Sequence, residues 1–279
     1  MNLTRNYTTV LTIAGSDGSG GAGIQADLKA IAANGCYGLS VITAVTAQNT
    51  LGVRTIHEIP PAFIAEQFET IAADIRIDAV KIGMLGSPEA AETVARLIES
   101  LDGVPVVLDT VLRSSSGKSL FEAKNMASMQ RLFSLTSLIT PNLPEATVLT
   151  GRNKAPASQD EIEKIAAELH LQEARSVLVK GGHGEGERCN DCLLHEGRFF
   201  WYSNPKIETI NTHGTGCTLS SAIACGLAKR LPMNEAVESA IAYTREALQA
   251  GASWRLGQGN GPLEHFPGRK VECRPGRAR

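Results

Sequence analysis

Asn211-Thr212-His213-Gly214-Thr215-Gly216-Cys217 is the stretch whose residue types and spacing point most directly to chemistry. Residues 218–229, rich in small and apolar side chains, predict a buried helix directly behind it. The Gly-Thr-Gly-Cys turn then stands at the positive end of that helix, where unpaired N–H groups and the helix dipole face any bound anion. Gly214 and Gly216 let backbone approach without a Cβ in the way. Cys217 follows with a side chain able to accept or share a proton. A phosphate-handling enzyme is one reading; a helix start that needed two glycines is the other, and the heptapeptide alone does not choose.

Other chemistry-bearing residues fall where apolar runs end. Residues 15–23 are Gly-rich, yet they have neither the G-x-G-x-x-G spacing of a dinucleotide fingerprint nor the Gly-Lys-Ser/Thr ending of a P-loop. Such a loop can wrap a small ligand at close range. Asp27, one turn into the next helix, is expected to point back at it or to sit exposed, favoured by the dipole. In Thr46-Ala47-Gln48-Asn49-Thr50, the Gln48 amide can read a heterocycle with adjacent amino and ring-nitrogen groups, or the segment is a polar turn. Met84, in Lys81-Ile82-Gly83-Met84-Leu85, is an apolar wall or core. Asp109, at the end of an apolar strand, suits Mg²⁺ or a phosphate-side water network, and Glu145 offers a second carboxylate at a strand's carboxyl end; Mg²⁺ takes few protein carboxylates and keeps waters. Lys180 ends a strand before Gly181-Gly182-His183, where an ammonium can meet phosphate oxygens.

His183, Cys189, Cys192 and His195 offer a Cys-x-x-Cys core from which a zinc site or a redox pair can be drawn. The flanking residues read instead as a turn feeding an edge hairpin, which makes incidental surface cysteines the preferred reading. Six cysteines in 279 residues fit reduced thiols better than a disulfide framework.

Short apolar runs alternating with helical periodicity position these groups and predict an α/β fold with a mostly parallel sheet. Strands are expected at 9–14, 40–45, 79–82, 104–108, 137–140 and 176–180. Helices are expected at 23–34, 63–74, 88–100, 145–150, 159–171, 217–230 and 234–253. An antiparallel hairpin over 191–210 turns at Glu196-Gly197. No linker divides residues 1–254, which read as one domain, and the Gly, Pro and Arg of 255–279 predict a poorly ordered tail. Ligands of such sheets bind outside the carboxyl ends of the strands, where these polar elements converge. The net charge of -2 gives no electrostatic case for nucleic acid, and no apolar run is long enough for a membrane span. No signal peptide is evident at Met1-Asn2-Leu3-Thr4-Arg5, so the expected compartment is the cytoplasm.

Taken in order, Ala14-Gly15-Ser16-Asp17, Ser19-Gly20-Gly21-Ala22-Gly23, Ala47-Gln48-Asn49-Thr50, Lys81-Ile82-Gly83-Met84-Leu85, Val107-Leu108-Asp109-Thr110-Val111, Ile139-Thr140-Pro141-Asn142-Leu143-Pro144-Glu145, Lys180-Gly181-Gly182-His183 and the 211–217 turn resemble the hydroxymethylpyrimidine kinase/phosphomethylpyrimidine kinase family of thiamine biosynthesis. That family lies in the ribokinase-like superfamily, so the resemblance implies a three-layer sandwich with helices on both faces of the sheet. It implies an ATP- and Mg²⁺-dependent phosphotransferase that phosphorylates 4-amino-5-hydroxymethyl-2-methylpyrimidine twice, and a homodimer. Carried over, the pyrimidine contacts are Gly15, Ala22, Asp27, Thr46, Gln48, Met84, Val111 and His213. Asp109 and Glu145 fall on metal positions, Lys180 on the ATP phosphates, and Gly214, Thr215, Gly216 and Cys217 on the catalytic turn. Many relatives have an aspartate base where Cys217 stands, and a thiol at a helix N-terminus is expected to have a lowered pKa. Ser114-Ser115-Ser116-Gly117 replaces a lysine-containing family stretch, with Arg113 a candidate substitute. The close alternative is a pyridoxal kinase, which also acts on a ring carrying a hydroxymethyl group; a non-catalytic binding protein of this fold is a further one.

Overall fold

The computed structural model describes residues 5–112, 126–182 and 186–269. Nine strands form one sheet in the order β3-β2-β1-β4-β5-β6-β7-β8-β9. β1 (Thr9–Asp17), β2 (Tyr37–Asn49), β4 (Ala79–Ile82), β5 (Val106–Leu108), β6 (Leu138–Ile139) and β7 (Val177–Val179) are parallel neighbours. The chain steps from β1 outward to β2, then returns to place β4 on the other side of β1. That makes the carboxyl ends of β1 and β4 the topological switch point, where a crevice opens.

Strand alternation decides which helices cover which face. Val10, Ala79, Val107, Leu138 and Leu178 pack with α7 (Thr215–Ala228) and α8 (Met233–Gly251). α1 (Gly23–Ala33) joins that layer through Ile31. Leu11, Ile13, Val80, Ile82, Val106 and Leu108 face the opposite core, under α2 (Pro61–Ala72), α3 (Pro88–Glu99), α4 (Met126–Arg131), α5 (Leu143–Leu149) and α6 (Gln159–Leu171). This is the three-layer sandwich the resemblance implied. α7 is buried over 218–226, which explains its lack of polar patterning.

Several boundaries differ from those expected. β2 runs on to Asn49 because an antiparallel strand, β3 (Gly52–Glu58), pairs with it, with an irregularity at Ala47/Gln48. β3 is an edge strand with two-sided exposure and charged residues, so no apolar alternation marks it. The second hairpin consists of β8 (Arg188–His195) and β9 (Arg198–Pro205), turning at the expected Glu196-Gly197. Residues 255–269, expected as a tail, pack against the body: Leu263 and His265 are buried, and the Tyr243 hydroxyl donates to the His265 carbonyl. Close backbone approach at Gly261, against Asn211, is the use made of that composition.

Candidate active site

Two helix starts meet at the crevice. Gly214, the N-cap of α7, has φ +86, and a Cβ there would overlap the Gly21 carbonyl. The loop after β1 and the 211–217 turn are therefore locked together. The Gly23 N–H, at the start of α1, acts on the Cys217 thiol, which stands at the amino end of α7. The Thr215 hydroxyl donates to the Thr212 carbonyl and fixes the turn.

The predicted phosphate and metal residues come together under that turn. Lys180 Nζ lies 2.7 Å from Asp109 Oδ1, and Asp109 also accepts from Thr140 Oγ1 at 3.2 Å. A Cβ on Gly216 would stand 3.1 Å from Asp109 Oδ2 and 3.3 Å from Lys180 Nζ, so the α7 amino end rests on this ion pair. Burial opposes the Asp109 charge, but Lys180 and Lys81 outweigh it and hold the carboxyl below its ordinary range. Glu145 forms a capping box with Asn142, accepting from the Asn142 N–H at 2.9 Å. Burial, with Asp109's charge adding to it, pushes the Glu145 carboxyl up to about 7.

Asp27 departs from both expectations: it neither faces the Gly-rich loop nor sits exposed. Its carboxylate is fully buried and accepts from Lys81 Nζ at 2.8 Å on both oxygens, from Thr12 at 2.6 Å and from Ser221 at 2.9 Å. With every oxygen engaged, Asp27 shapes the floor beneath the site. Cys217 also departs from expectation. Its thiol is pushed up to about 12, chiefly by burial and further by Asp27 and Asp109; Lys81 and the Gly23 N–H pull it down and are outweighed. The residue is half-buried, and the pull of Lys81 and the Gly23 N–H is smaller than the combined push of burial and the two carboxylates.

On the other side of the crevice, His213 Nε2 lies 2.8 Å from Asp17 Oδ2 and 3.2 Å from Gln48 Nε2. Thr46 Oγ1 donates to the Ser16 carbonyl at 2.9 Å and lies 3.2 Å from Gln48 Oε1. Ala22 N–H donates to Asp17 Oδ2 at 2.9 Å. Gly15 N–H bonds the Met84 carbonyl at 3.0 Å, and the Met84 side chain fills the space a Gly15 Cβ would need. Val111 is half-buried, its N–H bonded to the Asp109 carbonyl at 2.8 Å. Thus Gly15, Ala22, Thr46, Gln48, Met84 and His213 line one region, while Asp27 lies below it.

Sequence reasoning missed Asp17, Lys81, Thr12 and Ser221. A lone lysine inside Ala79-Val80-Lys81-Ile82, a strand buried throughout, was the available signal, because a buried ammonium demands a partner. Cys189 and Cys192 lie three apart on β8 and so point to opposite faces. Cys192 is fully buried rather than at the surface, and His195 bonds Ser176. Among the described residues no group of three or more His, Cys, Asp or Glu is placed to hold a metal. His183, Arg113 and the 114–117 stretch lie outside the described residues.

Asp109 and Glu145 nonetheless fit Mg²⁺. It needs few protein carboxylates, and burial with the neighbouring Asp109 charge raises the Glu145 carboxyl to about 7 even though Lys180 opposes them, so a further cation would be accommodated there.

Residues 17–264 match the family model for phosphomethylpyrimidine kinase. A hydroxymethylpyrimidine/phosphomethylpyrimidine kinase of Rhizobium meliloti is 43% identical over 92% of this chain and 96% of its own. The crystal structure of phosphomethylpyrimidine kinase from Clostridium difficile is 40% identical with a TM-score of 0.76, covering 86% of this chain and 99% of that one. Pyridoxal kinase from Bacillus subtilis, solved as an ADP complex, is 32% identical with a TM-score of 0.86, covering 94% and 98%. The chain spans only 35% and 52% of two longer relatives, the thiamine biosynthesis multifunctional protein of Corynebacterium efficiens and the bifunctional one of Geobacter sulfurreducens. No helix among the described residues is long and apolar enough to cross a membrane.

Proposed function

The chain belongs to the phosphomethylpyrimidine kinase family, and from that premise we propose that it phosphorylates 4-amino-5-hydroxymethyl-2-methylpyrimidine and then its monophosphate, with ATP, in thiamine biosynthesis. It is a phosphotransferase. The observation that carries the site reading is the seating of the α7 amino end, at Gly216, on the Asp109–Lys180 pair beside Cys217.

The chain's own groups divide the work. The Gly214, Gly216 and Cys217 amides form an anion hole for the transferring group, while the Thr215 N–H, spent on the Thr212 carbonyl at 3.2 Å, holds the turn in shape. Lys180, held by Asp109, presents its ammonium to phosphate oxygens. Asp109 and Glu145 would hold Mg²⁺, which would supply neutralising charge for the phosphates when bound. Gln48, with Thr46 and His213, orients the pyrimidine so that its hydroxymethyl group reaches Cys217; Gly15, Ala22, Met84 and Val111 wall the ring. With its pKa near 12, Cys217 is a thiol at neutral pH and serves as a hydrogen-bonding partner of the hydroxyl more readily than as a standing thiolate base. A loose phosphoryl-transfer transition state asks more for position and charge than for deprotonation.

Coupled ADP release with the pyrimidine and MgATP, followed by mass spectrometry of the products, tests this. Two successive phosphoryl additions are expected. Absence of turnover on the pyrimidine would overturn the reading, and faster turnover on pyridoxal would favour the alternative that the pyridoxal kinase likeness raises. A homodimer and a cytoplasmic location complete the proposal; light scattering and cell fractionation check them.

A further inference from the structure

The Gln48 amide sits between two partners whose own bonds constrain it. His213 Nε2 faces Asp17 Oδ2 at 2.8 Å, and a carboxylate only accepts, so Nε2 carries a proton there. The same nitrogen lies 3.2 Å from the Gln48 amide; its one N–H goes chiefly to Asp17, and with no lone pair left it can share that N–H with an amide carbonyl but cannot accept from an amide NH₂. On the far side, Thr46 Oγ1 already donates to the Ser16 carbonyl, leaving it to accept from the amide NH₂. A half-turn of the Gln48 amide, which exchanges groups of nearly equal size, satisfies both ends at once.

We propose that Asp17 is a specificity-determining positioning residue: by fixing the proton on His213 Nε2 it sets, together with Thr46, the direction of the Gln48 amide. One amide N–H and one carbonyl lone pair then remain side by side, the complement of a ring nitrogen next to an amino group. A ring edge without an adjacent acceptor and donor does not satisfy that pair. The inference rests on the reading of Gln48 as the ring's partner. Asp17 suits the task because it stays charged: hydrogen bonds from His213, Ser19 and Ala22 overcome its burial and hold its carboxyl at about 2. Those donors occupy both of its oxygens, so an asparagine cannot satisfy them all.

The test uses the full-length protein. In substrate-free ¹⁵N-histidine-labelled enzyme, long-range ¹H–¹⁵N correlation should show His213 protonated on Nε2, and Asp17→Asn should erode that preference. Asp17→Asn should also raise the pyrimidine KM about tenfold, the scale of one lost hydrogen bond, with the ATP KM changed less than about twofold. Discrimination against pyridoxal should narrow in parallel. Thr46→Val keeps the Asp17–His213 pair, so it should raise the pyrimidine KM without moving the His213 proton; if Asp17→Asn does not fold, the wild-type histidine spectrum decides the role of Asp17. His213 bare at Nε2 in the wild type, or a pyrimidine KM unmoved in Asp17→Asn, overturns the proposal. A wild-type enzyme inactive on the pyrimidine would instead defeat the functional reading, while the histidine spectrum would still judge the role of Asp17.

Discussion

Lys81 Nζ lies 2.8 Å from both carboxylate oxygens of Asp27, and neither side chain is exposed. The pair spans from β4 to α1 at the switch point and lies close enough to Cys217 for both charges to act on its thiol. Thr12 and Ser221 complete the Asp27 shell, so the charges are satisfied rather than stored.

The pair predicts opposite effects from its two halves. Lys81→Met removes the cation that favours the Cys217 thiolate and should slow iodoacetamide labelling of Cys217 across alkaline pH. Asp27→Asn removes an opposing anion and should speed it. Peptide mapping separates Cys217 from the other cysteines; acceleration in both variants would indicate loosening instead. Leaving Asp27 unpaired should also cost about 3–5 kcal/mol of stability, read as a lowered Tm.

Gly216→Ala should separate stability from activity. Alanine favours a helix over glycine by about 1 kcal/mol, so Tm should hold or rise. The added methyl presses on Asp109 and Lys180, beside the proposed anion hole. We expect kcat/KM for ATP to fall at least about tenfold, within the range for lost oxyanion-type donors.

Glu145 predicts a pH dependence of stability in metal-free protein. Its folded carboxyl, pushed by burial from 4.5 to about 7, holds a proton that the unfolded chain releases earlier. Its stabilising contribution is therefore complete below 4.5 and lost as pH rises through about 7. Glu145→Gln keeps an oxygen for the Asn142 N–H, and its urea midpoint should decline less than the wild type's between these limits.

Kinetic constants should divide the crevice. Cys217→Ser should lower kcat while leaving pyrimidine binding largely intact, and an unchanged kcat would rule out an essential proton role for the thiol. Gln48→Ala should raise the pyrimidine KM far more than that of ATP; equal effects would remove it from ring binding.

Much of the fold was legible because its signals are local. Apolar runs such as Val106–Leu108 mark buried parallel strands, and the helix expected at 145–150 is present, begun two residues earlier by the Asn142–Glu145 capping box. β3 was not legible, since an exposed edge strand carries no periodic apolar face. The boundary at 254 fell short because glycine and proline read alike in a loose segment and in one closely packed against the body.

The sequence by itself determined the alternation of most strands and helices, the glycine turn at 211–217 ahead of a buried helix and the placing of Asp109, Glu145 and Lys180 near strand ends, all consequences of spacing along one chain. Only the tertiary structure decided that Asp27 turns inward to Lys81, that Asp17 grips His213, and that the Cys217 thiol rises instead of falling. Partners in these cases are 54 and 196 residues apart for the two pairs, and for the thiol the deciding quantity is burial. Neither long-range pairing nor exclusion of water is written into a local pattern.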